Sequence, residues 1–191
     1  VQRGGAAPPR AVRRRPGDGG AHPGAHPAAR RPGGGSAGGH VAACTGVVEG
    51  LEQEGEDKDI SSRPNAMVLF NPALYLPKTG ALAERIGPRL DGRDPERISP
   101  YHNVDKNEPP TIIFHGTADT TVPIDTARKF RDAMKEAGNR CKLVEYEDKG
   151  HGFFNYGRGD GKAFYDTMRE ADKFLKSLGY LKGDPTIDEF P

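Results

Sequence analysis

The chain has 191 residues with 28 Lys and Arg against 27 Asp and Glu, a net charge of +1. That length fits one domain, and the near-neutral balance argues against a protein built to hold nucleic acid or a membrane surface. Its two cysteines, Cys44 and Cys141, lie far apart and in no metal-ligand spacing, which excludes a disulfide framework or a zinc site and leaves two free, buried thiols as the expectation.

No apolar run approaches the length that crosses a bilayer, and no signal-peptide pattern is present. Because the chain starts at Val1, that says nothing of native targeting; neither compartment nor oligomeric state can be read from it. The charge is unevenly spread: residues 1–35 hold seven Arg, one Asp and no Lys, so the remainder is mildly acidic.

Residues 1–32 are almost wholly Arg, Gly, Ala, Pro and His. Such a segment has too little apolar surface to offset its ordering entropy, and we expect it to be disordered or poorly packed. A basic tail, a flexible linker and an out-of-frame translation of a GC-rich gene compete to explain it; the abrupt change of composition at Gly33 and the absence of Lys before Lys58 favour the last. The strand that should precede Gly33 would fall at about residues 28–32, whose two arginines and proline are unsuited to a buried central strand.

From Gly33 the pattern alternates between strand and helix, which predicts a mainly parallel α/β sheet flanked by helices. A Gly-rich turn at 33–39 leads into a helix over about His40 to Val48, then a charged surface loop from Glu49 to Arg63. The apolar run Ala66 to Phe70, ended by Asn71-Pro72, predicts a strand buried on both faces. Leu74 to Pro110 is irregular, with a short helix at Ala81 to Ile86.

A second buried strand covers Thr111 to His115. The helix after it runs from about Ile124 to Ala137 with Ala127, Phe130, Ala133, Met134 and Ala137 on one stripe. Cys141 to Tyr146 alternates as an outer strand does. The last helix spans Lys162 to Ser177, with Phe164, Met168, Ala171, Phe174 and Leu175 directed at the sheet. Residues 182–191 form a tail.

Three segments carry chemistry. Gly34-Gly35-Ser36-Ala37-Gly38 fits G-x-S-x-G, a tight turn that makes a serine hydroxyl protrude and aims the Ala37 N–H at a developing oxyanion; glycines two before and two after avoid collisions. The competing reading is a plain Gly-rich helix entry. Asp119 lies in the turn beyond a buried strand, where it can orient a histidine. Otherwise it would cap the next helix, a role Asp125 can take. His151, between Gly150 and Gly152, is placed after the third of these strands as a general base on a mobile loop; a lone loop histidine is otherwise a solvated surface residue. Finding serine, acid and histidine in that order, each at a strand's C-terminal end, argues against coincidence.

On these residues the segments GGGSAGGHVAA, IIFHGTADTTVP and KGHGFFN resemble the C-terminal part of α/β-hydrolase esterases, in particular acetyl-esterase and carbohydrate acyl-esterase relatives of the prolyl-oligopeptidase-like hydrolases. The resemblance covers about Gly33 to Leu181. It implies a partial α/β-hydrolase fold with Ser36 as nucleophile, His151 as acid and base, Asp119 as orienting acid and Ala37 in the oxyanion hole. It also implies hydrolysis of a small-molecule ester with a short acyl group such as acetate, carbohydrate esters included, without metal or organic cofactor and with no nucleic-acid or membrane partner.

His40 is expected to pack within its helix, and Glu147 and Asp148 are reserve acids too near His151 in sequence. No HGGG-like oxyanion loop precedes the elbow. This chain is therefore expected to turn over esters weakly or not at all. The rivals are a prolyl-oligopeptidase-like serine peptidase and an inactive fragment with a basic tail.

Overall fold

A computed structural model describes residues 30–55 and 61–187. The expectations for residues 1–29, among them the out-of-frame origin, lie outside the described residues. Four strands, β1 (Gly33–Gly35), β2 (Met67–Phe70), β3 (Thr111–Gly116) and β4 (Cys141–Tyr146), form one parallel sheet in the order β1-β2-β3-β4. Between them run α1 (Ala37–Val47), α2 (Ala81–Ile86) and α3 (Asp125–Glu136), and α4 (Lys162–Ser177) follows β4.

Each crossover moves the chain one strand in the same direction, so right-handed connections put α1 and α3 on one face. Met67, Leu69, Ile113 and Cys141 of the sheet pack there with Ala43 and Val47 of α1 and Phe130 and Met134 of α3. The opposite face takes Val68, Ile112 and Phe114, covered by Ala163, Ala171 and Phe174 of α4 together with Phe153. β3 is buried along its whole length, which is why Thr111 to His115 reads as an uninterrupted apolar run. β4 lies at the edge, as its pattern predicts, although Val144 and Tyr146 also add apolar surface to the α4 face.

Three expectations are corrected. The helix after the elbow begins at Ala37, not near His40. It is rich in small residues: a Cβ on Gly46 would lie 2.6 Å from Met67 Sδ, and one on Gly39 2.9 Å from Pro72 Cβ, so close packing on the sheet sustains a helix that propensity would not.

The face of α4 is shifted. Ala163, Thr167, Ala171 and Phe174 are buried, whereas Phe164 and Met168 are only half-buried and Phe164 meets Tyr156 and Tyr165 edge-on. The strand before the serine, thirdly, is Gly33–Gly35 with Arg30 to Pro32 alongside it. Asn65 N–H donates to the Arg30 carbonyl at 2.7 Å and Val68 N–H to that of Pro32 at 3.2 Å. Arginine and proline are tolerated because they precede the first residue of the β1 ladder, where Pro32 offers β2 its carbonyl and no N–H is required, and because Arg31 can lay its guanidinium 4.8 Å from the centre of the Tyr180 ring.

Candidate active site

All four strands are parallel, so the loops that leave them share one edge of the sheet, the edge where α/β proteins gather ligands. Ser36 follows β1, Asn71 follows β2, Asp119 lies beyond β3 and His151 beyond β4.

Ser36 sits at φ 54°, ψ −120°, a region that costs a residue with a side chain about 1–3 kcal/mol unless the surroundings impose it. Two contacts do: Ser36 N–H donates to the Phe70 carbonyl at 2.9 Å, and the Ser36 carbonyl accepts from His40 N–H at 3.0 Å. A Cβ on Gly34 would come within 2.6 Å of the Gly38 carbonyl carbon, so this glycine is required. Gly38 is not, since a Cβ there meets nothing within 4 Å; the crowded glycine on the helix side is Gly39. Ala37 opens α1, so its N–H has no carbonyl four residues back in the helix and lies at the positive end of the helix dipole.

The Asp119 side chain is fully buried. Its Oδ1 accepts from Thr121 N–H at 2.8 Å and Val122 N–H at 2.9 Å. Its Oδ2 accepts from His151 Nδ1 at 2.8 Å and from Asn71 Nδ2 at 2.6 Å. Burial by itself would raise the Asp119 pKa, but the His151 bond and the Val122 and Thr121 N–H groups outweigh it and hold the carboxyl below its ordinary value. The bond to a carboxylate puts the proton of a neutral His151 on Nδ1 and leaves Nε2 free to accept one.

Asp119 thus shapes its own turn and holds a histidine with its two oxygens. Asp125 does not cap α3, which has Ile124 at its cap; Asp125 instead pairs with Arg128 at 3.1 Å.

The His151 loop is fastened to the Asp119 loop, not free as predicted. Ala118 N–H donates to the Lys149 carbonyl at 3.1 Å, Thr117 N–H to that of Tyr146 at 2.9 Å, and Asp148 N–H to Thr117 Oγ1 at 2.9 Å. A Cβ on Gly116 would lie 2.1 Å from the Lys149 carbonyl oxygen, so glycine at the end of β3 is what lets the two loops meet. Beyond the histidine, Phe153 lies tilted against Tyr146 at 4.7 Å, and Phe154 lies 5.0 Å from Phe70. Phe154 also covers the elbow: a Cβ on Gly35 would sit 2.5 Å from its Cζ. Of the two flanking glycines only Gly152, at φ 79°, needs to be one.

Comparison with known proteins agrees with this architecture. The model of the prolyl oligopeptidase family matches residues 81–178, just over half of the chain.

The chain belongs to the prolyl oligopeptidase family.

The matched range contains Asp119 and His151, and Ser36 precedes it. The structure is similar to esterase 2 of Thermogutta terrifontis, both phosphonylated by sarin (49% identity, TM-score 0.76) and bound to propionate (52%, 0.73). Each match covers 81% of this chain and 58% of the other. Among curated relatives, the acetylxylan esterase of Xylanibacter ruminicola is 28% identical over 78% of this chain, and the isoprenylcysteine α-carbonyl methylesterase ICMEL1 of Arabidopsis thaliana 29% over 61%. The chain spans 30% and 28% of those two proteins.

In this family member the other sequence candidates stand apart. His40 lies within α1, its Nδ1 2.8 Å from the Ala73 carbonyl oxygen, and burial pushes its pKa down. Glu147 and Asp148 are exposed. Both thiols are unpaired; Cys141 is buried and Cys44 partly so, and burial pushes them up to about 12 and about 11, which keeps them protonated. Among the described residues no cluster of His, Cys, Asp and Glu could hold a metal ion, and no helix is long and apolar enough to cross a membrane.

Asn71 also belongs to the site. In the sequence it marks the end of a strand, and its only unusual signal, an Asn directly after a buried apolar run at the edge that carries the other site residues, does not separate a turn former from a ligand of Asp119.

Proposed function

We propose that this chain carries the catalytic residues of a serine carboxylic ester hydrolase with a preference for short acyl groups. The observation that supports it most is the buried Asp119 Oδ2 receiving His151 Nδ1 at 2.8 Å, on the same sheet edge as a serine in a strained strand-to-helix turn. With Nδ1 so engaged, Nε2 takes the proton of Ser36 as its Oγ attacks the ester carbonyl carbon. The Ala37 N–H receives the oxyanion. Collapse expels the alcohol, which carries the proton from His151 away. Water then repeats the sequence on the acyl-serine, releasing the acid and restoring Ser36.

The short acyl group is supported by the propionate-bound relative and the acetylxylan esterase, and the second of these extends the reading to acetylated sugars. A peptide substrate is the second reading, favoured by the family description.

A fluorophosphonate probe tests the reading in this chain even where turnover is slow. We expect one adduct, on Ser36, by intact-mass and peptide mass spectrometry, and none in Ser36→Ala. Slow release of nitrophenol from 4-nitrophenyl acetate, lost in the same variant, is expected alongside. Labelling elsewhere, or equal turnover by Ser36→Ala, would overturn the assignment. Faster cleavage of a peptide nitroanilide than of the acetate would favour the peptidase.

A further inference from the structure

We propose that Asn71 is a positioning residue for this apparatus: its side-chain amide, donating to the same Asp119 oxygen that receives His151, sets the plane of the carboxylate and through it the direction of the imidazole. The proposal rests on the reading of Ser36, His151 and Asp119 as the catalytic residues.

Four observations carry it. Asn71 is fully buried, and its Nδ2 lies 2.6 Å from Asp119 Oδ2, a short bond to a charged acceptor. The amide's orientation follows from chemistry: reversed, it would set a carbonyl oxygen against a carboxylate oxygen at that distance.

Its own Oδ1 is buried and without a hydrogen-bond partner among the described residues. A residue chosen only to fill the space would avoid that desolvation cost, so the donor end is what the position uses.

The backbone is bent to serve it. Asn71 stands at φ 43°, a left-handed conformation that Asn tolerates better than most residues, and its N–H is secured by the Phe114 carbonyl at 2.8 Å. Finally, the preceding residue, Phe70, gives its carbonyl to Ser36 N–H. Phe70 at the end of β2 therefore holds the nucleophile with its backbone, and Asn71 directly after it holds the acid with its side chain.

The remaining groups around Asp119 do not substitute for Asn71. Thr121 and Val122 N–H occupy the other oxygen. His115, from β3, lies 3.5 Å from Oδ2, but its Nε2 donates to the Val122 carbonyl at 2.9 Å, and burial pushes its pKa down so that it is neutral. Glu145 of β4 engages Arg128 at 2.6 Å. Without Asn71, Oδ2 would keep only His151.

Two variants test this. Asn71→Gly keeps the left-handed backbone and removes the amide; Asn71→Asp keeps the shape and replaces the donor by an acid. The rate of Ser36 phosphonylation and kcat for 4-nitrophenyl acetate should fall about ten- to a hundredfold, the scale of a misdirected catalytic group, with KM within about twofold. The fall should be smaller in Asn71→Asp than in Asn71→Gly, because two buried carboxyls at this distance share a proton and the protonated one can donate to Asp119 in place of the amide.

A purely structural role would lower the melting temperature and leave kcat in the folded fraction unchanged, and that result overturns the proposal. Should either variant fail to fold, wild-type NMR decides. The Asn71 Nδ2 protons should be shifted downfield and lose that shift in Asp119→Asn; an unperturbed amide would refute the bond. If Ser36→Ala proves as reactive as wild type, the catalytic reading and this proposal fall together. If Ser36→Ala is dead and the Asn71 variants are normal, only the proposal falls.

Discussion

At the scale of single residues, Asp119 carries the most electrostatic consequence. Its carboxyl is held below the ordinary value, so it contributes stability that is present above that value and is lost as pH falls through the lowered one. Asp119→Asn should flatten that part of the acid unfolding curve, measurable by circular dichroism between about pH 5 and pH 2. In the proposed hydrolase it should also cut ester turnover about 10³- to 10⁴-fold at neutral pH, because an amide can present its N–H to Nδ1 and favour the wrong tautomer. Turnover within tenfold of wild type would refute the orienting role. Ser36, Asp119 and His151 were legible because each stands in a short motif at the end of a strand pattern. Asn71 was not, since hydrogen bonding between the ends of β2 and β3 is a property of neighbouring strands, which no local pattern records.

At the scale of elements, the glycines around Ser36 separate two physical demands. Gly34 lies under the first turn of α1 with no space for a methyl group, whereas Gly38 faces open space within the helix. Gly34→Ala should therefore destabilise the fold by about 1–3 kcal/mol through overpacking. Gly38→Ala should stabilise it by about 0.5–1 kcal/mol through the lower chain entropy of alanine. Urea unfolding of the two variants checks both signs, and equal effects would contradict the geometry of the turn. The bounds of α2 and α4 were readable from their prolines, glycines and periodicity. The start of α1 was hidden by its glycines, and the buried face of α4 by the large side chains of Phe164 and Met168. Phe114, Phe153 and Tyr146 already fill the space beneath that helix, so small residues such as Ala163 and Thr167 face the sheet.

At the scale of the whole molecule, the sheet separates two cores, one containing Phe130 and the other Phe174. Each of Phe130→Ala and Phe174→Ala should cost about 3–5 kcal/mol. The double variant should be additive within about 0.5 kcal/mol, because the two rings share no packing cluster. A coupling above about 1 kcal/mol, measured by a double-mutant cycle in denaturant unfolding, would show that the sheet transmits strain between its faces. The sequence by itself determined the class of fold, the buried strand β3, the edge strand β4 and three candidates for chemistry, because hydrophobic period and turn residues are local properties. Only the tertiary structure decided that β1 forms from three glycines beside β2, that Phe154 closes over the elbow and that Asn71 shares a carboxylate oxygen with His151. Those outcomes depend on which strands become neighbours and how closely their loops approach, and such distances are set by packing across the sheet.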